Sequence, residues 1–230
     1  MSLRQQQAPK DHEAVQISLR TALILMLFTA AFTTLMAFAY LATRDTIAAS
    51  AKKEKLKLIG EVLPPAMYDN ALLKDVIELP AIAELGLDQP SRAYRARKNG
   101  EPVALVFEAA APDGYSGRIN LILAVRPDGE IVAVRVTAHR ETPGLGDYID
   151  PHKDKNKTQP WISQFDRQGF ASLPPAQWHV KKDGGHFDQR SGATISARAV
   201  TNAIGRAAAW ASKQDAQLFA TSAPPAARLN

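Results

Sequence analysis

Residues 117–139 read GRINLILAVRPDGEIVAVRVTAH, and this stretch decides what kind of fold the chain can adopt. Two runs rich in Val, Ile and Leu flank Arg126-Pro127-Asp128-Gly129. Proline presets φ at the first corner of a turn, aspartate folds its side chain back onto the backbone, and glycine accepts the conformation the last corner needs. The four residues therefore predict a hairpin. Upstream, PVALVFEAA (102–110) is a third run of the same kind, and APDGYSG (111–117) links it to the first of the pair. Short apolar runs separated by turn chemistry predict an antiparallel meander.

Working outward toward the C-terminus, TQPWISQFDRQGF (158–170) spaces Trp161 and Phe165 by four and predicts a helix. WHVKKDGG (178–185) reads as a strand ending at Gly184-Gly185. ISARAVTNAIGRAAAWASKQ (195–214) is alanine-rich, sets Val200, Ile204 and Ala208 on one face, and predicts a long helix. SAPPAARLN (222–230) reads as a frayed tail. Toward the N-terminus, GLDQPSR (86–92) is a turn-rich link, and AMYDNALLKDVIEL (66–79) reads as a short helix or an irregular lead-in. IAASAKKEKLKLIGEVL (47–63) reads as a helix stopped by Pro64-Pro65. The expected fold class is α+β, an antiparallel β-sheet with packed helices.

Between Arg20 and Arg44, TALILMLFTAAFTTLMAFAYLAT (21–43) carries no charge. As a helix it is roughly 35 Å long, enough to cross a hydrocarbon core of about 30 Å. A cleaved signal peptide has a shorter apolar run, and Ala37-Phe38-Ala39, which imitates a cleavage site, lies inside this one. A buried core helix shows a polar face, and this stretch has almost none. One N-terminal transmembrane helix is therefore expected ahead of the α+β domain. Orientation stays open. Arg4, Lys10 and Arg20 precede the span, whereas Arg44, Lys52, Lys53, Lys55 and Lys57 follow it. A literal charge count puts the domain in the cytoplasm, but the rule is weakest for long translocated domains. The expected segments are a tail (1–20), the span (21–43), a membrane-proximal helical segment (44–90), the folded domain (91–215) and a C-terminal tail (216–230).

A hydrophobic fraction of 46% with 22% charged residues fits a folded chain and excludes a disordered one. The net charge of +5 does not imply nucleic acid, because only Lys52 to Lys57 cluster and no basic stripe emerges. No nucleic-acid partner is expected. The absence of cysteine excludes disulfides, thiolate zinc sites and ordinary iron–sulfur ligation. His12, His139, His152, His179 and His186 include no pair at metal-binding helical spacing, so no metal site is expected.

Three stretches carry candidate chemistry. In HRETPGLGD (139–147), Gly144 and Gly146 flank Leu145 on a loop after a strand, where glycine lets a ligand approach the backbone. His139 and Glu141 have the chemistry for acid–base work, but Glu141 can equally satisfy loop amides and the glycines can simply form a tight turn. In HFDQRSGATIS (186–196), Thr194 or Ser196 can cap the following helix with Gly192 making the turn into it. The same geometry suits a phosphate, since free N–H groups at a helix start attract anions. In KKDGGHFD (181–188), Lys181 and Lys182 are either phosphate partners or a solvated strand end. Trp161, Phe165 and Trp178 are either core residues or stacking partners for an aromatic cofactor.

Asp188-Gln189-Arg190-Ser191-Gly192-Ala193-Thr194 matches the signature D-x-x-[ST]-G-A-[TS] of bacterial proteins that carry covalent FMN. Together with the apolar span, VLPPAMYDNAL, APDGYSG, HRETPGLGD and WHVKKDGGHFDQRSGATIS, the chain resembles the G subunit of the Rnf-type ion-translocating ferredoxin:NAD oxidoreductase from Thr21 to about Trp210. The C subunit of the sodium-pumping NADH:quinone reductase shares the FMN domain and is the runner-up.

The resemblance implies an electron-relay subunit with no independent turnover of a soluble substrate. It implies FMN joined by a flavin transferase, through a phosphoester, to Thr194, with Asp188, Ser191, Gly192 and Ala193 as the surrounding motif. It places Glu141, Thr142, Gly144, Leu145 and Gly146 against the flavin, with Ser196 left to cap the helix. It implies the other membrane subunits of the Rnf complex and membrane lipid as partners, in a bacterial inner membrane with the domain facing the periplasm. Two other classes compete: a non-redox membrane-anchored assembly module, and a hydrolase using His139 and Glu141, for which no nucleophile constellation is evident.

Overall fold

The computed structural model describes residues 8–214; the C-terminal tail expected over 216–230 lies outside them, as does the start of the N-terminal tail. Two compact bodies divide between Glu54 and Lys55. One helix, α1 (Ala8–Val62), supplies the whole described part of the first body. Leu23, Phe28, Phe32 and Phe38 are all more than half exposed, so its apolar surface runs around the helix and is left uncovered among the described residues. Thr21, Thr29, Thr34 and Thr43 each donate their hydroxyl to the carbonyl four residues earlier, at 2.8–2.9 Å. Those bonds remove the hydroxyl penalty that lipid would impose. Among the described residues this is the one helix long and apolar enough to cross a membrane.

The second body is built on a five-stranded antiparallel meander: β1 (Val76–Leu79), β2 (Ser91–Lys98), β3 (Glu101–Gly114), β4 (Gly117–Val125) and β5 (Ile131–Ala138), in that spatial order. The hairpin expected at 126–129 is present, with Gly129 N–H donating to the Arg126 carbonyl at 3.0 Å. Both faces of the sheet are covered. Leu105, Phe107, Leu121, Leu123 and Val134 meet Val200, Ile204 and Ala208 of α2 (Thr194–Ser212) in the larger core. Tyr94, Val106, Ile122 and Ala124 meet Ile59 and Val62 from the end of α1, and Leu63 just beyond it, in the smaller one. Burial on both faces explains why β3 and β4 read as nearly continuous apolar runs rather than alternating ones.

Several expectations need correction. Residues 158–170 do not form an α-helix; only Trp161–Phe165 coil, as a short 3-10 turn. Beyond it Arg167 N–H donates to the Ile131 carbonyl and Ile131 N–H to the Gln168 carbonyl, at 2.7 and 2.8 Å, so β5 captures the backbone a helix would have used. The strand expected at 178–185 is a single parallel bridge, Val180 to Phe187, with a 3-10 turn at Lys181–Asp183. Stretch 66–79 is irregular, as one of its two readings has it, but it closes with β1, paired to β2. Neither β1 nor β2 is among the expected strands.

Candidate functional site

The β3–β4 turn, the loop after β5 and the first turn of α2 converge around a pocket of about 320 Å³. Glu141, Thr142, Leu145, Gly146, Gly192, Ala193 and Thr194, all expected at the site, line it together. Gly144, Ser191 and Asp188 do not. Gly144 N–H donates to Asp147 Oδ1 at 3.0 Å, which shapes the loop. Asp188 turns its carboxylate to Lys181 at 2.7 Å, while its carbonyl accepts Trp161 Nε1–H at 2.6 Å. Lys181 and Lys182 also lie outside the pocket lining. Trp161, Phe165 and Trp178 are core residues.

Glu141 is buried and occupied on both oxygens. Oε1 accepts the Ser116 N–H at 3.0 Å, and Oε2 accepts the Ser196 hydroxyl at 2.5 Å. One carboxylate thus joins the β3–β4 turn, the loop after β5 and α2. Gly146 makes room for it: a Cβ there would stand 2.6 Å from Ser196 Oγ and 2.8 Å from Glu141 Oε2. His139 Nδ1 accepts the Glu141 N–H at 3.1 Å, so this ring nitrogen holds the loop.

The helix start departs from the capping expectation. α2 begins at Thr194, the cap position is Ala193, and no side chain caps it. Ser196 stands at the third helical position, inside the helix rather than at its cap, and its hydroxyl donates to Glu141. The first amides of a helix have no partner within it, so an uncapped start leaves donors and a partial positive charge at the pocket. Glu141 is the one charged side chain among the described lining residues.

Beside Ser196, the wall is completed by Tyr115 and Ile195, neither of them expected at the site. With Leu145 they are large apolar side chains; Tyr115, Ile195 and Leu145 are 67%, 46% and 56% exposed, respectively. A sequence signal existed for Ile195, which falls off the Val200/Ile204/Ala208 face of α2.

Behind the pocket, Tyr148 is buried with its ring edge-on to Trp161 at 5.4 Å. Burial pushes its hydroxyl pKa up against the opposing pull of Arg190, which keeps it protonated and able to donate. The Arg190 guanidinium lies 4.5 Å above that ring and pairs with buried Asp154. Burial alone would raise the Asp154 pKa, but the amides of Trp161 and Asn156 and the Arg190 guanidinium outweigh it and hold the carboxyl below the ordinary range. A depressed carboxylate stabilises the fold above its unfolded pKa of about 3.9 and loses that contribution as pH falls through the lower folded value. The melting midpoint is therefore expected to drop below about pH 4, and Asp154→Asn to start lower at neutral pH and fall less steeply. Parallel slopes in a thermal scan from about pH 7 to about pH 3 would remove Asp154 as a source of the acid sensitivity.

A family model for the FMN-binding domain matches residues 114–209, and one for the RnfG N-terminal region matches residues 11–62. The G subunit of the ion-translocating oxidoreductase complex of Pseudoalteromonas atlantica is 39% identical over 207 residues, covering 90% of this chain and 94% of that protein. Its counterpart from Photorhabdus laumondii, named in the same way, is 44% identical over 191 residues, covering 83% and 88%. The crystal structure of Shewanella oneidensis NqrC aligns with a TM-score of 0.42 at 22% identity, over 67% of this chain and 70% of that one.

Proposed function

Because the chain belongs to the family of ion-translocating oxidoreductase complex G subunits, we propose that it is a membrane-anchored electron relay carrying FMN on Thr194 through a phosphoester. The observation that carries the proposal is the pocket at the start of α2, where a hydroxyl, uncapped helix amides and exposed apolar side chains occur together. The residues present fit the cofactor. Tyr115, Leu145 and Ile195 offer an apolar wall of the kind a flavin ring covers. The amides at the helix start suit the phosphate. When bound, FMN supplies reversible electron storage.

The electrostatics favour a tether over a reversible site. A free phosphate monoester is held by lysine or arginine forks, and no such side chain is among the described lining residues. The nearest acid, Glu141, would repel a dianion. A phosphodiester on Thr194 carries less charge and is retained by its covalent bond, so helix amides suffice. In this reading Gly192 and Ala193 leave the hydroxyl accessible, Thr142, Leu145 and Gly146 face the cofactor, and Glu141 shapes the loop. Asp188, Ser191 and Gly144 belong to the surrounding turns or to what the transferase recognises.

The proposed partners are the other membrane subunits of the complex, membrane lipid around the span at 21–43, and a flavin transferase during maturation. The FMN domain is assigned to the periplasmic side of the inner membrane, where lost FMN could not be readily replaced. The lysines after the span weigh the other way, though such charge bias is weak for long translocated domains. The match to the RnfG N-terminal region supports this role over the C-type subunit of a sodium-pumping reductase. Intact mass is the test. Chain produced with its transferase is expected to gain the mass of FMN less one water, mapped to the peptide holding Thr194. Unmodified mass under those conditions would overturn the covalent reading.

A further inference from the structure

We infer that Tyr148 is a positioning residue for flavin attachment, its hydroxyl holding the turn Arg190–Ala193 so that Thr194 presents its own hydroxyl to the incoming phosphorus. The inference rests on Thr194 being the acceptor. Ala193 N–H donates to the Arg190 carbonyl at 3.2 Å, closing a four-residue turn whose third residue, Gly192, has φ +84°. Such a turn takes glycine at that position.

The Tyr148 hydroxyl grips both ends of the turn from outside, accepting the Arg190 N–H at 3.1 Å and donating to the Ala193 carbonyl at 3.3 Å. Tyr148 is itself immobilised by Trp161 on its edge and Arg190 on its face. Trp161 also holds the Asp188 carbonyl, so the whole approach to Thr194 is fastened to one buried cluster. On the far side, Ser196 is fastened to Glu141. Thr194 lies between these two clamps, at a helix start that no side chain caps.

Attachment forms a bond from Thr194 Oγ1 to the flavin-side phosphorus. Free FMN would have to expel water, so the donor must be activated as a phosphoric anhydride such as flavin adenine dinucleotide. The anhydride P–O bond breaks, the nucleoside monophosphate leaves with the electron pair, and the hydroxyl proton passes to a base supplied by the transferase. In-line attack demands orientation, and small displacements of the nucleophile are expensive. Tyr148 touches none of the reacting atoms and acts through the turn alone.

The experiment measures attachment rates on full-length apo chain in detergent, with purified flavin transferase and flavin adenine dinucleotide. Tyr148→Phe is expected to lower kcat for attachment by about tenfold, with KM for the chain little changed and a cooperative melt retained. An unchanged kcat with only a lower melting midpoint means a merely structural tyrosine and overturns the inference. If Tyr148→Phe does not fold, Ser196→Ala, which releases the downstream clamp, is read in the same way: a fall in kcat supports positioning and an unchanged kcat overturns it. Wild-type chain that accepts no flavin overturns the Thr194 assignment itself, a failure distinct from wild type and Tyr148→Phe reacting equally fast.

Discussion

Thr194→Ala, produced alongside its flavin transferase, is expected to run as a dark band on a denaturing gel under ultraviolet light where the wild type fluoresces. Denaturation strips any flavin held by contacts alone, so surviving fluorescence reports a covalent bond. The loss is expected to be complete, because no second side chain in the pocket replaces the acceptor. Ser191 lies outside the pocket wall, Ser196 is buried with its hydroxyl committed to Glu141, Thr142 sits on the opposing loop, and Tyr115 carries its phenol on the β3–β4 turn, away from the helix start. Stability should barely change. Thr194 makes no capping bond, so alanine at the first helical position is expected to shift stability by less than about 1 kcal/mol. Thr194→Ser keeps a hydroxyl at the same place and is expected to keep the band. Fluorescence that persists in Thr194→Ala, with the protein still folded, would falsify the assignment of this residue.

Chemistry that closes within a few residues is legible in the sequence, and chemistry that depends on distant partners is not. The 126–129 hairpin and the breadth of the apolar span are local properties, and so is the apolar face of α2. β2 was hidden because SRAYRARK reads as a polar stretch. In the fold Arg95 is 1% exposed and pairs with Asp75, twenty residues upstream, at 2.6 Å. That ion pair turns a charged sequence into an interior strand. Trp161 and Phe165 have helical spacing, yet Ile131 claims the backbone beyond them.

The site divides in the same way. Small residues and a hydroxyl before an alanine-rich helix marked Gly192, Ala193 and Thr194, and the loop glycines marked 141–146. Ser196 reads, beside Thr194, as a candidate cap, because a serine near a helix start usually is one. Its partner Glu141 lies 55 residues away in the chain, and only the fold brings them together. Tyr148 carried no local signal at all, since its two hydrogen bonds reach 42 and 45 residues ahead.

Gly146→Ala is expected to be strongly destabilising. The added Cβ would lie 2.6 Å from Ser196 Oγ, 2.8 Å from Glu141 Oε2 and 3.2 Å from Glu141 Cβ. None of these atoms can simply swing aside. The Ser196 hydroxyl is bound to Glu141, and Glu141 is also bound to the Ser116 amide. Relief requires either moving the loop off α2 or breaking the Ser196 bond and leaving a buried hydroxyl unpaired. Overpacking and a lost buried hydrogen bond each cost about 1–3 kcal/mol, so a loss of about 3 kcal/mol is expected. In a domain of this size that lowers the melting midpoint by roughly 10 °C. Ser196→Ala in the same chain removes the atom in closest conflict. The double variant is therefore expected to be less destabilised than the sum of the two single changes, the coupling that touching residues show. Additive losses, or a Gly146→Ala melt within about 2 °C of wild type, would mean that the loop yields freely and that the Glu141–Ser196 bond does not fix the pocket floor beside Thr194.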